Sequence, residues 1–463
     1  MLFRPVARTP AGNLLPGGPS GHEQGPRPRG RAVTQLRASV GVMTGSSIAQ
    51  AAIFAAASVV ATRLLGAHGR GVMVVGTALG STVALLAGMG SGIHLRARLP
   101  TARGADRVRL LASFSWTTVV GSIASALIAV ALSVISSRFI ATELGRPAFL
   151  LGMVAVTFGY VAFSQFTEPW YAAGEFRAGS VWATVVAATG LVALLVAATV
   201  SRSATALVIG QGSGMSLAAL AQAYLLRRRG LLRFDRPDRR TVVDLLRSGS
   251  PSLGLTVGLA ITLKADRYIL GAVVGPAAVG VYSLISTLSE LPRLVPAAIG
   301  QMLMRDTAIG AGIGRARRMT AIGVACAVVA ALVIAGGSWL LLGPMFGPDF
   351  ARAHGVLLVL LVAEVSFAPF TVASRGMLGG GWARVGGSIG LAGGLAAVAL
   401  FLFSIPVWGV WGAALSCLIA YAGMSLVAWR TYRRRLLQRP RLATVEEAPV
   451  LVTAAVSKRT DLE

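Results

Sequence analysis

The sequence predicts an all-α polytopic membrane protein of about twelve transmembrane helices, arranged as two six-helix bundles related by an axis along the membrane normal. Three observations lead there. Hydrophobic residues fill 55% of 463 positions against 13% charged, and the mean hydropathy is +0.71, so too little polar side chain remains to build a water-facing surface. Apolar stretches of the roughly 20 residues a span requires recur along the whole chain. A glycine motif near residue 66 returns near residue 275.

The spans fall in order at 42–64, 72–93, 110–136, 148–167, 181–200, 205–226, 251–273, 276–300, 319–342, 355–373, 385–404 and 407–429. Residues 1–40 hold Pro, Gly and Arg but no apolar segment of signal-peptide length, and they predict a disordered cytoplasmic tail. Residues 41–226 form the expected N-terminal bundle, 227–250 a basic cytoplasmic linker, 251–430 the C-terminal bundle and 431–463 a second cytoplasmic tail. The only cysteines, Cys326 and Cys417, fall inside the ninth and twelfth spans and read as soft core filling, not as a disulfide or metal site.

A net charge of +26 raises nucleic acid as a partner, and the placement of the basic residues excludes it. Of 43 Lys and Arg, 35 fall in the two tails and in every second loop: six before residue 40, five in "HLRARLPTARGADRVR", Arg177, eight from Arg227 to Arg247, five from Arg293 to Arg318, Arg375, Arg384, and eight from Arg430 onward. This asymmetry is the positive-inside rule, and it predicts that both termini are cytoplasmic. Attraction to anionic membrane lipids is a secondary effect.

The repeat supports the two-bundle reading. "LLGAHGRGVMVV" and "VVGPAAVGVYSL" share Gly66, Gly71 and Val72 against Gly275, Gly280 and Val281, an offset of 209. "AAGEFRAG" and "LGGGWARV" place Gly174 and Phe176 against Gly380 and Trp382, an offset of 206. The matches follow the first and fourth spans of each half. Six spans return the chain to its starting side, so both halves enter the bilayer in the same sense, an arrangement found in transporters. Tight turns and close helix contacts account for the same glycines without any substrate.

At these residues the sequence resembles the polysaccharide-transporter (oligosaccharide flippase) branch of the multidrug/oligosaccharidyl-lipid/polysaccharide exporter superfamily (MOP). The run "KADRYILGAVVGPAAVGVYSLISTL" carries most of the resemblance, which covers about residues 35–435. It implies a MATE-like V of two bundles around a central cavity, working by alternating access in a bacterial plasma membrane. The implied substrate is an undecaprenyl-diphosphate-linked oligosaccharide, moved from the cytoplasmic to the outer leaflet. Peptidoglycan-precursor flippases of the superfamily usually have fourteen spans, and the twelve here put that cargo in doubt.

The seventh span holds Lys264, Asp266 and Arg267 within four residues. A charge at the centre of a spanning helix costs about 2.5–3.5 kcal/mol on insertion scales, so such a cluster must face water or partners. With a rise of ~1.5 Å per residue, Lys264 lies about 20 Å and Arg267 about 24 Å into the span. At i and i+3 they share a helix face. A lipid diphosphate offers matching acceptors for the planar fork of Arg and the mobile charge of Lys. Lys264 and Arg267, with Arg63 from the outer end of the first span, are therefore candidate diphosphate ligands, and Asp266 a tuning residue. Snorkelling of Arg63 to the interface and a structural ion pair at Asp266–Arg267 are the competing readings.

Glu364, near the middle of the tenth span, is a candidate for ion coupling, because burial makes its charge responsive to conformation. A satisfied hydrogen bond to a neighbouring helix explains it equally well. Glu168, Glu290 and Arg293 are placed near cytoplasmic helix ends and are candidate gate residues. Trp170, Tyr171, Trp339 and Trp408 fit interfacial belts, and Pro169, Pro292, Pro296, Pro369 and Pro406 mark places where spans kink or end. With four His, no Gly-rich nucleotide loop and no metal-spaced cluster, neither a cofactor nor a metal is expected. The alternatives are a MATE-like cation or drug antiporter, which would favour an acidic cavity, and a polytopic glycosyltransferase or polysaccharide polymerase. Enzymes of that kind usually carry acidic or basic catalytic residues on a sizeable outer loop, and the outer loops here are short. The expected partners are the lipid-linked substrate, membrane lipids and the enzymes that build or polymerise the glycan.

Overall fold

The computed structural model describes residues 29–438, so 1–28 and 439–463, most of the two expected tails, lie outside the described residues. Residues up to Gly41 and those from Val42 onward form two separate units, and the contacts below belong to the second. Fourteen α-helices and no strand occur among the described residues: α1 Arg29–Ala87, α2 Ser91–Arg98, α3 Gly104–Ser137, α4 Pro147–Gln165, α5 Thr167–Ala172, α6 Phe176–Val200, α7 Ala204–Arg228, α8 Arg239–Val273, α9 Pro276–Ser289, α10 Leu294–Ala308, α11 Ile313–Phe346, α12 Pro348–Arg352, α13 His354–Gly379 and α14 Ala383–Gln438.

Eight of these segments are long and apolar enough to cross a bilayer, making this a multi-pass membrane protein. Two of the eight are folded double. In α1 the backbone leaves helical geometry at Gly66 (φ 63°), and Arg70 hydrogen-bonds the Ser58 carbonyl. Residues 12 apart in a straight helix are about 18 Å apart, so the chain turns back there. In α14 the same happens at Gly409 (φ 54°), where the Ser404 and Ser416 hydroxyls meet at 2.6 Å. A left-handed φ is cheap only for glycine. With α8 and the interrupted α9–α10, the legs number twelve among the described residues.

Helix α8 is not among the eight apolar segments and carries Lys264, Asp266 and Arg267. Its start is set by Asp238, whose carboxylate accepts hydrogen bonds from the Thr241 hydroxyl (2.5 Å) and backbone N–H (3.0 Å). Those bonds, the hydroxyl first, hold the carboxyl below its ordinary range, so the cap is fully present above that range and is lost as pH falls through the lowered, folded-state value. Further on, Gly258 packs against the backbone of Gly390 and Leu391 in α14. This close helix approach, typical of small residues in membranes, seats α8 inside the second half.

The two copies of the glycine motif meet in space. A methyl at Gly71 would run into the Pro276 carbonyl, and one at Gly280 into the Ala67 carbonyl. Ala67 and Pro276 follow Gly66 and Gly275, so each motif packs its second glycine on the turn of the other. Gly275 also takes a left-handed φ of 110°. Arg70, buried between them, donates from Nε to the Gly280 carbonyl (3.2 Å) and from its other nitrogens to the carbonyl and hydroxyl of Ser58 (both 2.6 Å). The two halves are clasped at this end, on the side where spans 1 and 7 finish.

At both glycines a side chain has only backbone to displace. Gly71→Ala and Gly280→Ala are each expected to cost about 1–3 kcal/mol through overpacking, read as a lower midpoint of thermal unfolding in detergent. Gly423→Ala, with open space around it, is the control and leaves the midpoint unchanged or raised.

Candidate functional site

Below the clasp the halves part around a cavity of about 340 Å³, within the range of small-molecule sites. The first half contributes Ser58, Arg70 and Ser81 from α1, Tyr160 from α4 and Gln211 from α7; the second contributes Lys264 and Arg267 from α8 and Ser283, Thr287 and Glu290 from the eighth span. A larger cleft of about 550 Å³ lies between α11 and α14, lined by Arg317, Trp429 and Arg433. Its arginines are exposed and take no part in the buried charge network, so the smaller cavity is the candidate site.

The three charges of α8 point three ways. Lys264 Nζ donates to the Ser81 hydroxyl of α1 at 2.5 Å. An ammonium has three donors, so this bond leaves capacity toward the cavity. Arg267 donates from one terminal nitrogen to the Glu290 carboxylate (2.7 Å) and the Ser286 hydroxyl (3.1 Å), while its buried Nε has no acceptor among the described residues. Asp266 turns away from the cavity. It is 2% exposed, accepts from the Tyr282 hydroxyl at 2.7 Å and from the backbone N–H of Arg267 at 2.8 Å, and lies 4.0 Å from the Cys417 sulfur. The ion-pair partner of Arg267 is Glu290, not its sequence neighbour.

Glu290 caps the C-terminus of α9 and Arg293 the N-terminus of α10, on either side of a break within the eighth span. The eighth span, expected to stop near 300, continues through a short 3-10 turn at Leu291–Arg293 into α10. Pro292 and Pro296 interrupt the regular hydrogen-bond ladder there, so the break lies in the interior and both side chains turn inward. Glu290 bridges two guanidiniums, with Arg293 3.2 Å from its second oxygen. Arg293 in turn lies 3.5 Å from the buried Glu364 of α13 and over the ring of Phe367. Charges therefore alternate Arg267, Glu290, Arg293, Glu364 from the cavity wall into the C-terminal half. Its inner end is slack: Arg293 Nη1 and Glu364 Oε2 have no hydrogen-bond partner among the described residues.

The remaining predicted residues lie elsewhere. Arg63 is exposed, its guanidinium 6.0 Å from the Phe346 ring centroid, and it does not line this cavity. Arg70, which the sequence reading passed over, does; its proximity to Gly71 was the available signal. Glu168 forms a bidentate pair with Arg96, one bond being 2.6 Å, and so ties α5 to α2. Arg96 also lies over the Tyr171 ring at 4.7 Å. Trp170 is buried under Arg229 instead of facing lipid headgroups, whereas Trp339 and Trp408 are exposed.

Comparisons with known proteins agree with this architecture. A family model described as "Polysaccharide biosynthesis protein" matches residues 36–303. No curated protein sequence matches the chain. Among solved structures, the lipid II flippase MurJ in an inward closed conformation is similar with TM-score 0.66 at 10% identity, covering 91% of this chain and 93% of that one. An inward-facing multidrug resistance MATE family transporter of the MOP superfamily is similar with TM-score 0.61 at 13% identity, covering 88% and 96%. At such identities the likeness is one of fold.

Arg293 is the only charged partner of Glu364 among the described residues. Arg293→Ala leaves that carboxylate buried and unpaired, and is expected to destabilise by roughly 3–5 kcal/mol. Arg96→Ala, which breaks a pair at the half-exposed Arg96, should cost no more than about 1 kcal/mol. Thermal unfolding of the two variants in detergent compares them.

Proposed function

The chain belongs to the polysaccharide biosynthesis protein family, and on that premise we propose that it is a flippase. Its cargo is an undecaprenyl-diphosphate-linked oligosaccharide, the repeat unit of a surface polysaccharide or O-antigen-type glycan. It moves this cargo from the cytoplasmic to the outer leaflet of a bacterial plasma membrane by alternating access, with both termini cytoplasmic. The observation that carries the reading is the wall of the inter-half cavity, where Lys264 and Arg267 stand beside Arg70 with one acid, Glu290, among them.

The chemistry follows from the donors. Arg267 offers a planar fork and an unengaged Nε, and Lys264 a point charge; a diphosphate supplies oxyanions to both. In a cavity shielded from bulk water such charge-assisted bonds are stronger than at a surface. Arg70 donates from all three of its nitrogens to Ser58 and Gly280, so its part is to hold the clasp and add field. Arg63, outside the cavity in this conformation, meets the headgroup only as the cargo leaves on the outer side. Asp266 tunes the site by fixing Tyr282 and the α8 backbone behind Arg267. Glu364 is the carboxylate through which an ion couples to the cycle, and the Arg96–Glu168 pair belongs to the cytoplasmic gate. No catalytic step is assigned to the chain. The glycosyltransferases and polymerase of the same glycan are its expected neighbours.

A cation antiporter on the same fold would need a wall of the opposite sign. With three bases to one acid, lipophilic cations are disfavoured at this cavity.

Purified protein in nanodiscs should bind undecaprenyl diphosphate in preference to a lipophilic cation. Arg267→Gln and Lys264→Gln should each weaken that binding on the order of tenfold to a hundredfold, with a matching loss of surface polysaccharide in cells. Unchanged binding and output in both variants would remove the proposal.

A further inference from the structure

Glu290 stands where the cargo's own charge belongs. Its carboxylate occupies the Arg267 guanidinium at 2.7 Å, on the wall of the cavity that Lys264 also lines. A carboxylate and a phosphate oxygen accept from a guanidinium in the same way, so both cannot hold the same nitrogen. Glu290 has a second cation within reach, because its other oxygen is 3.2 Å from Arg293. Arg293 is itself only loosely held by Glu364 at 3.5 Å, with Nη1 unbonded among the described residues. Glu290 can therefore leave Arg267 without becoming an unpaired buried charge, the outcome that would be costly. Ser286, which bonds both Arg267 (3.1 Å) and Glu290 (3.3 Å), sits at the exchange point.

We infer that Glu290 is a built-in counter-anion that competes with the diphosphate of the cargo for Arg267. In the empty cavity it neutralises the guanidinium. An incoming headgroup takes Arg267, and Glu290 moves onto Arg293. When the headgroup must leave, Glu290 returns and displaces it. The residue thus sets how tightly the site holds cargo: it weakens binding and speeds release, which a carrier requires and a receptor does not. The displaced carboxylate also shifts Arg293 between Glu290 and Glu364, so occupancy of the cavity is felt at α13. This assignment rests on the anionic-cargo reading of the site and adds the regulation of it.

The test uses the full chain in nanodiscs with undecaprenyl diphosphate as the probe, measuring equilibrium binding and dissociation rate, and thermal unfolding to confirm that each variant is folded. Glu290→Gln keeps the shape and removes the charge. It should bind the probe on the order of tenfold more tightly and release it correspondingly more slowly, with slower flipping in vesicles. The gain should vanish when Arg267→Gln is added, since the two residues act on one contact. If Glu290→Gln does not fold, Glu290→Asp, whose carboxylate is drawn back from Arg267, should give a smaller tightening of the same sign. Binding that is unchanged or weaker in the folded Glu290 variant, while Arg267→Gln still loses the probe, overturns the competition and leaves the site reading intact. Wild-type binding retained in Arg267→Gln and Lys264→Gln overturns the site reading, and the competition with it.

Discussion

A guanidinium and an ammonium on adjacent turns of one spanning helix cannot face acyl chains, and the arrangement around α8 follows from that constraint. The interior has to supply acceptors at fixed places. Ser81 from the other half meets Lys264, and Ser286 and Glu290 from the eighth span meet Arg267. Asp266, between them in sequence, is turned to Tyr282 and toward Cys417. Through these contacts α8 is joined to both halves, and Tyr268 adds another bond across the divide, to Thr82 at 3.0 Å. Where the side chains stop filling the space between halves, a cavity with a basic wall remains.

Charge compensation, not charge removal, makes the interior tolerable. Arg267, Glu290, Arg293 and Glu364 alternate in sign, so the two inner ions, Glu290 and Arg293, each have two oppositely charged neighbours and the two end ions one. Such a chain is neutral enough to persist in low dielectric and still rearrangeable, because shifting one carboxylate repairs one pair as it opens another. The clasp at Gly71 and Gly280 supplies the opposite property. There the backbones of the two halves touch directly at the two glycines, which fixes one end.

The membrane class and the twelve segments were legible because span length and hydropathy are local properties. Lys264 and Arg267 were legible for the same reason: charges in an apolar run have few places to go. Both folded-double helices reverse at or beside an expected span boundary, Gly66 between 64 and 72 and Gly409 just after the 404–407 boundary; the repeat pointed to Gly66 as a turn residue, and nothing comparable pointed to Gly409. Arg70 went unread because it sits beside a turn, where solvation is the default assumption; its burial depends on the second motif arriving from 210 residues away. Glu290 and Arg293 do fall at helix ends, those of α9 and α10; hydropathy alone does not show that these ends adjoin inside one span, across a single 3-10 turn at Leu291–Arg293. The Arg267–Glu290 pairing itself needs the angle between the seventh and eighth spans, which spacing alone does not contain.

The central claim is that the space beside Lys264 and Arg267 is wet and receives a phosphorylated lipid. Thr287 lines that space without carrying any of its charge. With Cys326 and Cys417 replaced by Ser, Thr287→Cys can be followed by its rate of modification with a charged, membrane-impermeant thiol reagent. The account predicts that the introduced thiol reacts and that undecaprenyl diphosphate protects it. An inert thiol, or one modified at the same rate with the lipid diphosphate present, would contradict it.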